Sequence, residues 1–230
     1  MGVVKVIFLD IDGVLNHCNT RSNVLPTAHE PLPIPIAPEC MARLNRLIAE
    51  TGAKIVISSS WRLFARWQDL GPALVRHGLC AEVIGETPDL ANDDVWLENW
   101  RLREGSVFSF DRLERGWEIG EWIARFADGI CSCGHPRSAH ECDTDECFHN
   151  DQPSGASGCT CDRFDGTALT GFAILDDCSD MDELKPWLVL THPNDGLDDP
   201  DVERAKWLLE QSAAGISLAR KQALGTADQV

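Results

Sequence analysis

The chain has 230 residues, 43% of them hydrophobic and 25% charged, which gives room for one sizeable globular domain or one carrying a small insertion, and excludes wholesale disorder and a fibrous chain. Twenty Lys and Arg face 37 Asp and Glu, a net charge of −17, which excludes avid, non-specific binding to duplex DNA but not the binding of one phosphate group in a metal-assisted pocket. No apolar run approaches the roughly 20 residues of a membrane span, and the opening apolar block ends in acid rather than a cleavage site, so a soluble, cytoplasmic protein with no membrane partner is expected.

In chain order, residues 3–9 are nearly continuous apolar, as in a strand covered on both faces of a parallel sheet. Proline at every second place makes 31–38 an extended connector. Met41, Leu44, Leu47 and Ile48 follow helical spacing, and Thr51-Gly52 closes that helix. Residues 54–57 predict a second buried strand ending at Ser58, 61–77 a helix, and 81–84 a weaker third strand. Trp96, Leu97 and Trp100 suit a short amphipathic helix, and Ile119, Trp122, Ile123 and Phe126 lie on one face of another. Residues 171–175 form a buried strand ending in Asp176-Asp177, residues 187–190 a fifth strand, and about 200–211 a helix, after which a tail frays. Strands alternating with helices imply an α/β fold with a doubly wound parallel sheet. Ligands of such sheets bind at the carboxyl ends of the strands, where the polar residues gather.

Asp10-Ile11-Asp12-Gly13 leaves the first strand directly, and two carboxylates at i and i+2 of a tight turn suit a nucleophile and a proton donor for P–O cleavage. Taken alone, this is also an ordinary turn. Ser58 offers a hydroxyl to phosphate oxygens, or else a helix cap. Asp176 and Asp177 bring further acids to the same edge, with Asp180 one turn on, and that convergence calls for a cation, most naturally Mg²⁺. Arg115, with Arg112 as rival, is placed to balance the nucleophile and the phosphoryl group.

These motifs resemble the haloacid dehalogenase-like (HAD) hydrolase superfamily, over most of the chain outside 128–166. Motif one resembles Asp10-Ile11-Asp12-Gly13-Val14, motif two the Ser58 end of Ile55-Val56-Ile57-Ser58, motif three Arg115, and motif four Asp176-Asp177. More narrowly, Ser58-Ser59-Ser60-Trp61-Arg62, Arg115-Gly116-Trp117-Glu118-Ile119 and Gly196-Leu197 are similar to the HAD domains of RNA-repair ("Swiss army knife") proteins and polynucleotide phosphatases. The family's Ser falls at Ser58 or Ser59, and Thr191-His192 replaces its acid near the fifth strand. The resemblance implies a Rossmannoid fold and a Mg²⁺-dependent phosphatase. In it, Asp10 forms an aspartyl-phosphate and Asp12 is acid, then base. Mg²⁺ is held by Asp10, the Asp12 carbonyl and Asp176 or Asp177, while Ser58 and Arg115 grip the phosphoryl oxygens. Ser59, Trp61 and Arg62 are the substrate-binding candidates, with Trp61 stacking on a base and Arg62 holding a second phosphate, unless both simply belong to core and rim. A nucleotide or nucleic-acid end is the expected substrate. The alternatives are a small-metabolite phosphatase and a catalytically idle scaffold that binds a protein partner.

Six of the ten cysteines lie within residues 131–161, together with His135, His140 and His149. Cys131, Cys133, His135, His140, Cys142, Cys147, His149, Cys159 and Cys161 offer a density of soft ligands that suits structural Zn²⁺. One ion would take Cys131 or Cys133, His140, Cys147, and Cys159 or Cys161. One Arg against five acids in that stretch argues against a nucleic-acid finger, and the segment is placed to cover the site or to dock a protein partner. The expected organisation is a HAD-like core at 1–127 plus 167–214, a zinc-binding insertion at 128–166, and a flexible tail at 215–230.

Overall fold

The computed structural model describes residues 3–21, 34–93, 97, 114–127, 130–131, 146–147, 159–160, 164–165, 168–211 and 216–217. Five strands, β1 (Val3–Leu9), β2 (Lys54–Ile57), β3 (Val83–Glu86), β4 (Ala168–Asp176) and β5 (Leu188–Leu190), form one sheet in the order β3-β2-β1-β4-β5, with every neighbouring pair parallel. Among the described residues, four helices of ten residues or more accompany it: α1 (Pro38–Thr51), α2 (Trp67–Arg76), α3 (Arg115–Ala127) and α4 (Asp199–Gln211), besides a single turn over Cys18–Arg21. The α/β doubly wound architecture expected from the alternating pattern is the one observed.

The alternation of side chains along a strand assigns each apolar residue to a layer. Ile7, Leu9, Ile55, Ile57, Ala173 and Leu175 face one core, shared with Leu44, Leu47, Leu70, Leu74, Leu208 and Leu209 of α1, α2 and α4. Val6, Phe8, Val56, Phe172 and Ile174 face the other, where α3 supplies Ile119, Trp122 and Ile123. Burial on both sides explains the near-continuous apolar runs of β1 and β4. In the second core, Phe8 meets Trp122 edge-on at 5.3 Å and Phe172 at 5.8 Å. Ile216, within the stretch expected to be a tail, is buried in this second core.

Several boundaries differ from the sequence reading, among them the start of β4, which lies at Ala168 rather than at residue 171. The third strand runs 83–86 rather than 81–84, and the fifth starts at Leu188, because Trp187 ends a 3-10 turn over Asp182–Trp187. The expected helix over 61–77 is split into a 3-10 turn (Ser60–Leu63) and α2. Local and distant groups share the cause. Ser59 accepts from the Trp61 amide and closes the first turn, while the Glu86 carboxylate at the end of β3 accepts from the Trp67 amide at 2.8 Å and starts α2 afresh.

The strand order reverses about β1: the path runs outward through β2 and β3, then returns to β4 on the opposite side. The carboxyl ends of β1 and β4 therefore flank a topological switch point, the usual place for a ligand crevice in an open α/β sheet.

Candidate active site

Asp10 is the first residue past β1, and its amide donates to the Leu175 carbonyl of β4 at 3.0 Å, so the ladder itself fixes its position. Its carboxylate accepts from the Ile11 amide at 2.7 Å and from the Ser59 hydroxyl. Asp10 is only 4% exposed. Burial pushes its proton affinity up, with Arg115 opposing.

The turn that follows is built on Gly13. Its φ of +77° lies in the left-handed region, and a Cβ there would fall 2.2 Å from Asp177 Oδ2. The turn thus needs glycine twice, for its backbone and for the close approach of the acidic doublet. The Gly13 amide donates to Asn16 Oδ1 at 3.0 Å, and its carbonyl accepts from Thr191 Oγ1 at 2.8 Å. Thr191 stands where the family's further acid was sought, and it braces the loop.

Asp12 is held from two sides. Asn16 Nδ2 donates to Oδ1 at 2.8 Å, and the Trp61 indole donates to Oδ2 at 3.1 Å.

Asp176 ends β4 and is fully buried. Its Oδ1 accepts from the Cys178 amide at 2.8 Å, whereas Oδ2 lacks a hydrogen-bond partner among the described residues. Burial, with Asp10 adding to it against the pull of Arg115, pushes the Asp176 carboxyl up to about 7. Arg115, the first residue of α3, lies 3.6 Å from Asp10 and 3.4 Å from Asp176, and it donates to the Ser58 carbonyl. Burial works against its charge, but Asp176, Asp10 and Asp180 outweigh that and hold its proton affinity above the usual value. The helix start is itself anchored: Asp180 Oδ2 accepts from the Arg115 amide and its carbonyl from Gly116. A Cβ on Gly116 would sit 2.2 Å from the Met181 carbonyl, so α3 can approach this loop only with glycine at that position.

Asp10, Ser58, Ser59, Arg115, Asp176 and Asp177 therefore come together at the edge formed by β1, β2 and β4. Ser58 and Ser59 differ in what they do. Both are buried, yet the Ser59 hydroxyl is engaged with Asp10 and the Trp61 amide, while Ser58 Oγ lacks a partner among the described residues. Trp61 lines the site through Asp12. Arg62 is taken up by the protein's own groups: its guanidinium pairs with Glu118 of α3 and donates to the Ser59 carbonyl at 3.0 Å and the Thr87 carbonyl at 3.1 Å. Arg112 lies outside the described residues.

Asn16, Thr87 and Glu118 were not anticipated as part of this constellation. Asn16 follows Asp12 by four residues and Glu118 follows Arg115 by three, and those short spacings were the available signal. Nothing in the sequence pairs Glu118 with Arg62, 56 residues away.

The donor set fits a hard divalent cation. Asp10 and Asp176 share one guanidinium, Asp176 Oδ2 is buried without a hydrogen bond among the described residues, and Asp177 adds another carboxylate beside them. Asp176, Asp177 and Cys178 each present a ligating atom within 4.8 Å of the others. The Cys178 thiol, pushed up to about 11 by burial and its acidic neighbours, is a poor ligand for such an ion. Of the zinc candidates, Cys133, His135, His140 and Cys161, with Cys142 and His149, lie outside the described residues. Cys131 lies in a short strand paired with Phe164–Asp165, and Cys147 stands opposite Cys159 in a second antiparallel pair.

Over residues 6–130 the chain matches the family described as the HAD domain in Swiss Army Knife RNA repair proteins, and it belongs to that family. Comparison with curated proteins and with solved structures returns no match. Membership points to a hydrolase of the phosphatase type and to Mg²⁺ as the family's usual metal. Asp176 and Asp177 lie beyond the matched stretch and reach the site through the pairing of β4 with β1. Among the described residues, no helix is long and apolar enough to cross a membrane.

Proposed function

We propose that the protein is a Mg²⁺-dependent phosphatase that works through an aspartyl-phosphate on Asp10 and acts on the terminal phosphate of a nucleotide or nucleic-acid strand. The observation that carries this reading is the placement of Asp10, a buried carboxylate one residue past β1, between the Arg115 guanidinium, the Ser59 hydroxyl and a second buried carboxylate, Asp176. That is an arrangement for a nucleophile that must meet a phosphoryl group with its charge balanced.

In the first step an Asp10 oxygen forms a bond to phosphorus while the bond from phosphorus to the leaving oxygen breaks. The electron pair departs with that oxygen, which takes the proton carried by Asp12. In the second step water attacks phosphorus, gives its proton to Asp12, and expels the Asp10 carboxylate with inorganic phosphate. Arg115 and the Ser58 hydroxyl, which has no partner among the described residues, are the groups available to the non-bridging oxygens, and Ser59 orients Asp10. Asp10, Asp176, Asp177 and the Asp12 carbonyl would hold Mg²⁺. Bound there, the ion supplies neutralising charge for the phosphoryl group and the converging carboxylates. Arg62, buried against Glu118, serves in this account to fix the Ser59 segment rather than to hold a second phosphate.

Residues 128–166 form the proposed Zn²⁺-binding insertion in a core of 1–127 plus 167–214. The ligand density and the facing of Cys147 and Cys159 support that reading. The insertion is also the proposed contact for a protein partner, and the cytoplasm, where its thiols stay reduced, is the proposed location.

The test is phosphate release from 3′- and 5′-phosphorylated oligonucleotides, mononucleotides and an aryl phosphate, with and without Mg²⁺, by the wild type and Asp10→Asn. The proposal expects Mg²⁺-dependent release that Asp10→Asn abolishes and that is fastest on a strand end or a nucleotide. Equal release by both proteins removes Asp10 from the mechanism. A marked preference for small non-nucleotide phosphates moves the substrate to metabolites.

A further inference from the structure

We infer that Trp61 is a positioning residue for Asp12, one that aims the acid's proton at the leaving oxygen instead of stacking on a base. The inference rests on the phosphatase reading above and assigns a task that no motif match supplies.

The geometry begins with the two donors. Trp61 Nε1 lies 3.1 Å from Asp12 Oδ2, and Asn16 Nδ2 lies 2.8 Å from Oδ1, so a donor holds each carboxylate oxygen. The identity of the Asn16 donor is fixed by its other end, since the Gly13 amide, which can only donate, points at Asn16 Oδ1 at 3.0 Å. Both supports are themselves anchored. Asn16 is fully buried. Trp61 packs against the first core, in a 3-10 turn closed by Ser59 and clamped by the Arg62 bonds to the Ser59 and Thr87 carbonyls and to Glu118.

The chemistry of the two donors then decides what Asp12 can do. An indole N–H donates and cannot accept, and a carboxamide NH₂ behaves likewise. Neither can take the proton Asp12 carries. Each occupies one lone-pair direction on its oxygen, so a protonated Asp12 must place its O–H along a remaining direction. Misplacing a reacting group by about 1 Å costs on the order of 100-fold, and a positioned acid contributes roughly 100- to 10,000-fold. A residue that sets the carboxylate's orientation is therefore worth a large part of that factor.

A group that aims a general acid matters in proportion to how much the leaving oxygen needs a proton. Alkoxide leaving groups, such as a sugar hydroxyl, need it fully, and dinitrophenolate hardly at all. The quantity to compare is kcat/KM, which ends at departure of the leaving group and excludes the later step in which Asp12 acts as base.

The experiment measures kcat/KM with Mg²⁺ for a series from 2,4-dinitrophenyl phosphate to alkyl and ribose phosphates, using the wild type, Trp61→Phe and Asp12→Asn. A fourth protein carries β-(3-benzothienyl)alanine at position 61, which replaces the indole N–H by sulfur and preserves ring shape should Trp61→Phe disturb folding. The expected result is a loss in both position-61 variants at least about tenfold greater on alkyl than on dinitrophenyl phosphate, in the direction of Asp12→Asn. Losses of equal size across the series would give Trp61 a merely structural role and overturn the inference, while a steep dependence in Asp12→Asn would leave the phosphatase reading standing. If Asp12→Asn shows no dependence on leaving group, or the wild type releases no phosphate, the reading and the inference fall together.

Discussion

The Arg62–Glu118 pair makes a stability prediction that can be worked from its surroundings. The two side chains are 6% and 8% exposed, so they form a buried ion pair between the turn after β2 and the first turn of α3. Burial pushes the Glu118 carboxyl up, and the Arg62 charge opposes this. Breaking a buried pair from one side costs about 3–5 kcal/mol, because a desolvated charge is left behind. Glu118→Leu leaves Arg62 with two carbonyl acceptors, Ser59 and Thr87, which places the cost near the lower bound, at about 3 kcal/mol. For a chain of this size that corresponds to a fall in Tm of roughly 6–12 °C. Replacing both partners, Arg62→Met with Glu118→Leu, removes the orphaned charge and is expected within about 1 kcal/mol of wild type. Urea unfolding followed by circular dichroism on the wild type, both single variants and the double variant completes the cycle. Glu118→Leu within about 0.5 kcal/mol of wild type, or a double variant as unstable as the two singles combined, would refute a buried, mutually dependent pair.

Three further predictions follow from the site. Gly13→Ala strains a left-handed residue and drives a methyl into Asp177, so phosphate release is expected to fall by roughly 100-fold in a protein that still shows the wild-type circular dichroism spectrum; a loss under about threefold would contradict the tight-turn account. The raised acids set a pH dependence: burial lifts the folded Asp176 carboxyl to about 7, and Asp10 shifts the same way against the opposing charge of Arg115, so the contribution of these two acids to metal-free stability is fully present below the ordinary carboxyl range and is lost as pH rises through about 7. Mg²⁺ requires the ionised acids, and its stabilising Tm shift should therefore be larger at about pH 8 than at about pH 5, with equal shifts contradicting the carboxylate site. Chelation should strip Zn²⁺ from the protein and unfold residues 128–166 while the parallel sheet stays folded; metal analysis finding no zinc after purification under reducing conditions would end that proposal.

What the sequence disclosed and what it withheld have physical causes. β1, β2 and the buried part of β4 were legible because a strand buried on both faces has no polar alternation to blur it, and each ends abruptly in Asp10, Ser58 or the Asp176-Asp177 doublet, whereas the exposed start of β4 at Ala168 was missed. The break between the Ser60–Leu63 turn and α2 was hidden, since the cap that starts α2 is Glu86, a side chain from another strand. The same holds for Arg62. A guanidinium beside a candidate phosphate site looks like a clamp until the fold supplies Glu118 from α3. Trp61 was noticed for its ring, but its N–H carries the contact, to a carboxylate 49 residues earlier. Thr191 filled the position of a sought acid with a hydroxyl that ties Gly13 to the end of β5. Tertiary partners distant in sequence decided each of these.

The central claim is that Asp10 carries the phosphoryl group, and chemical trapping tests it most directly. Protein turning over a phosphorylated oligonucleotide with Mg²⁺ would be quenched with borohydride, which reduces an acyl phosphate to an alcohol, and then mapped by peptide mass spectrometry. The account predicts homoserine at position 10, dependent on both substrate and Mg²⁺. Unmodified Asp10 in protein that is releasing phosphate, together with retained activity in Asp10→Asn, would contradict it.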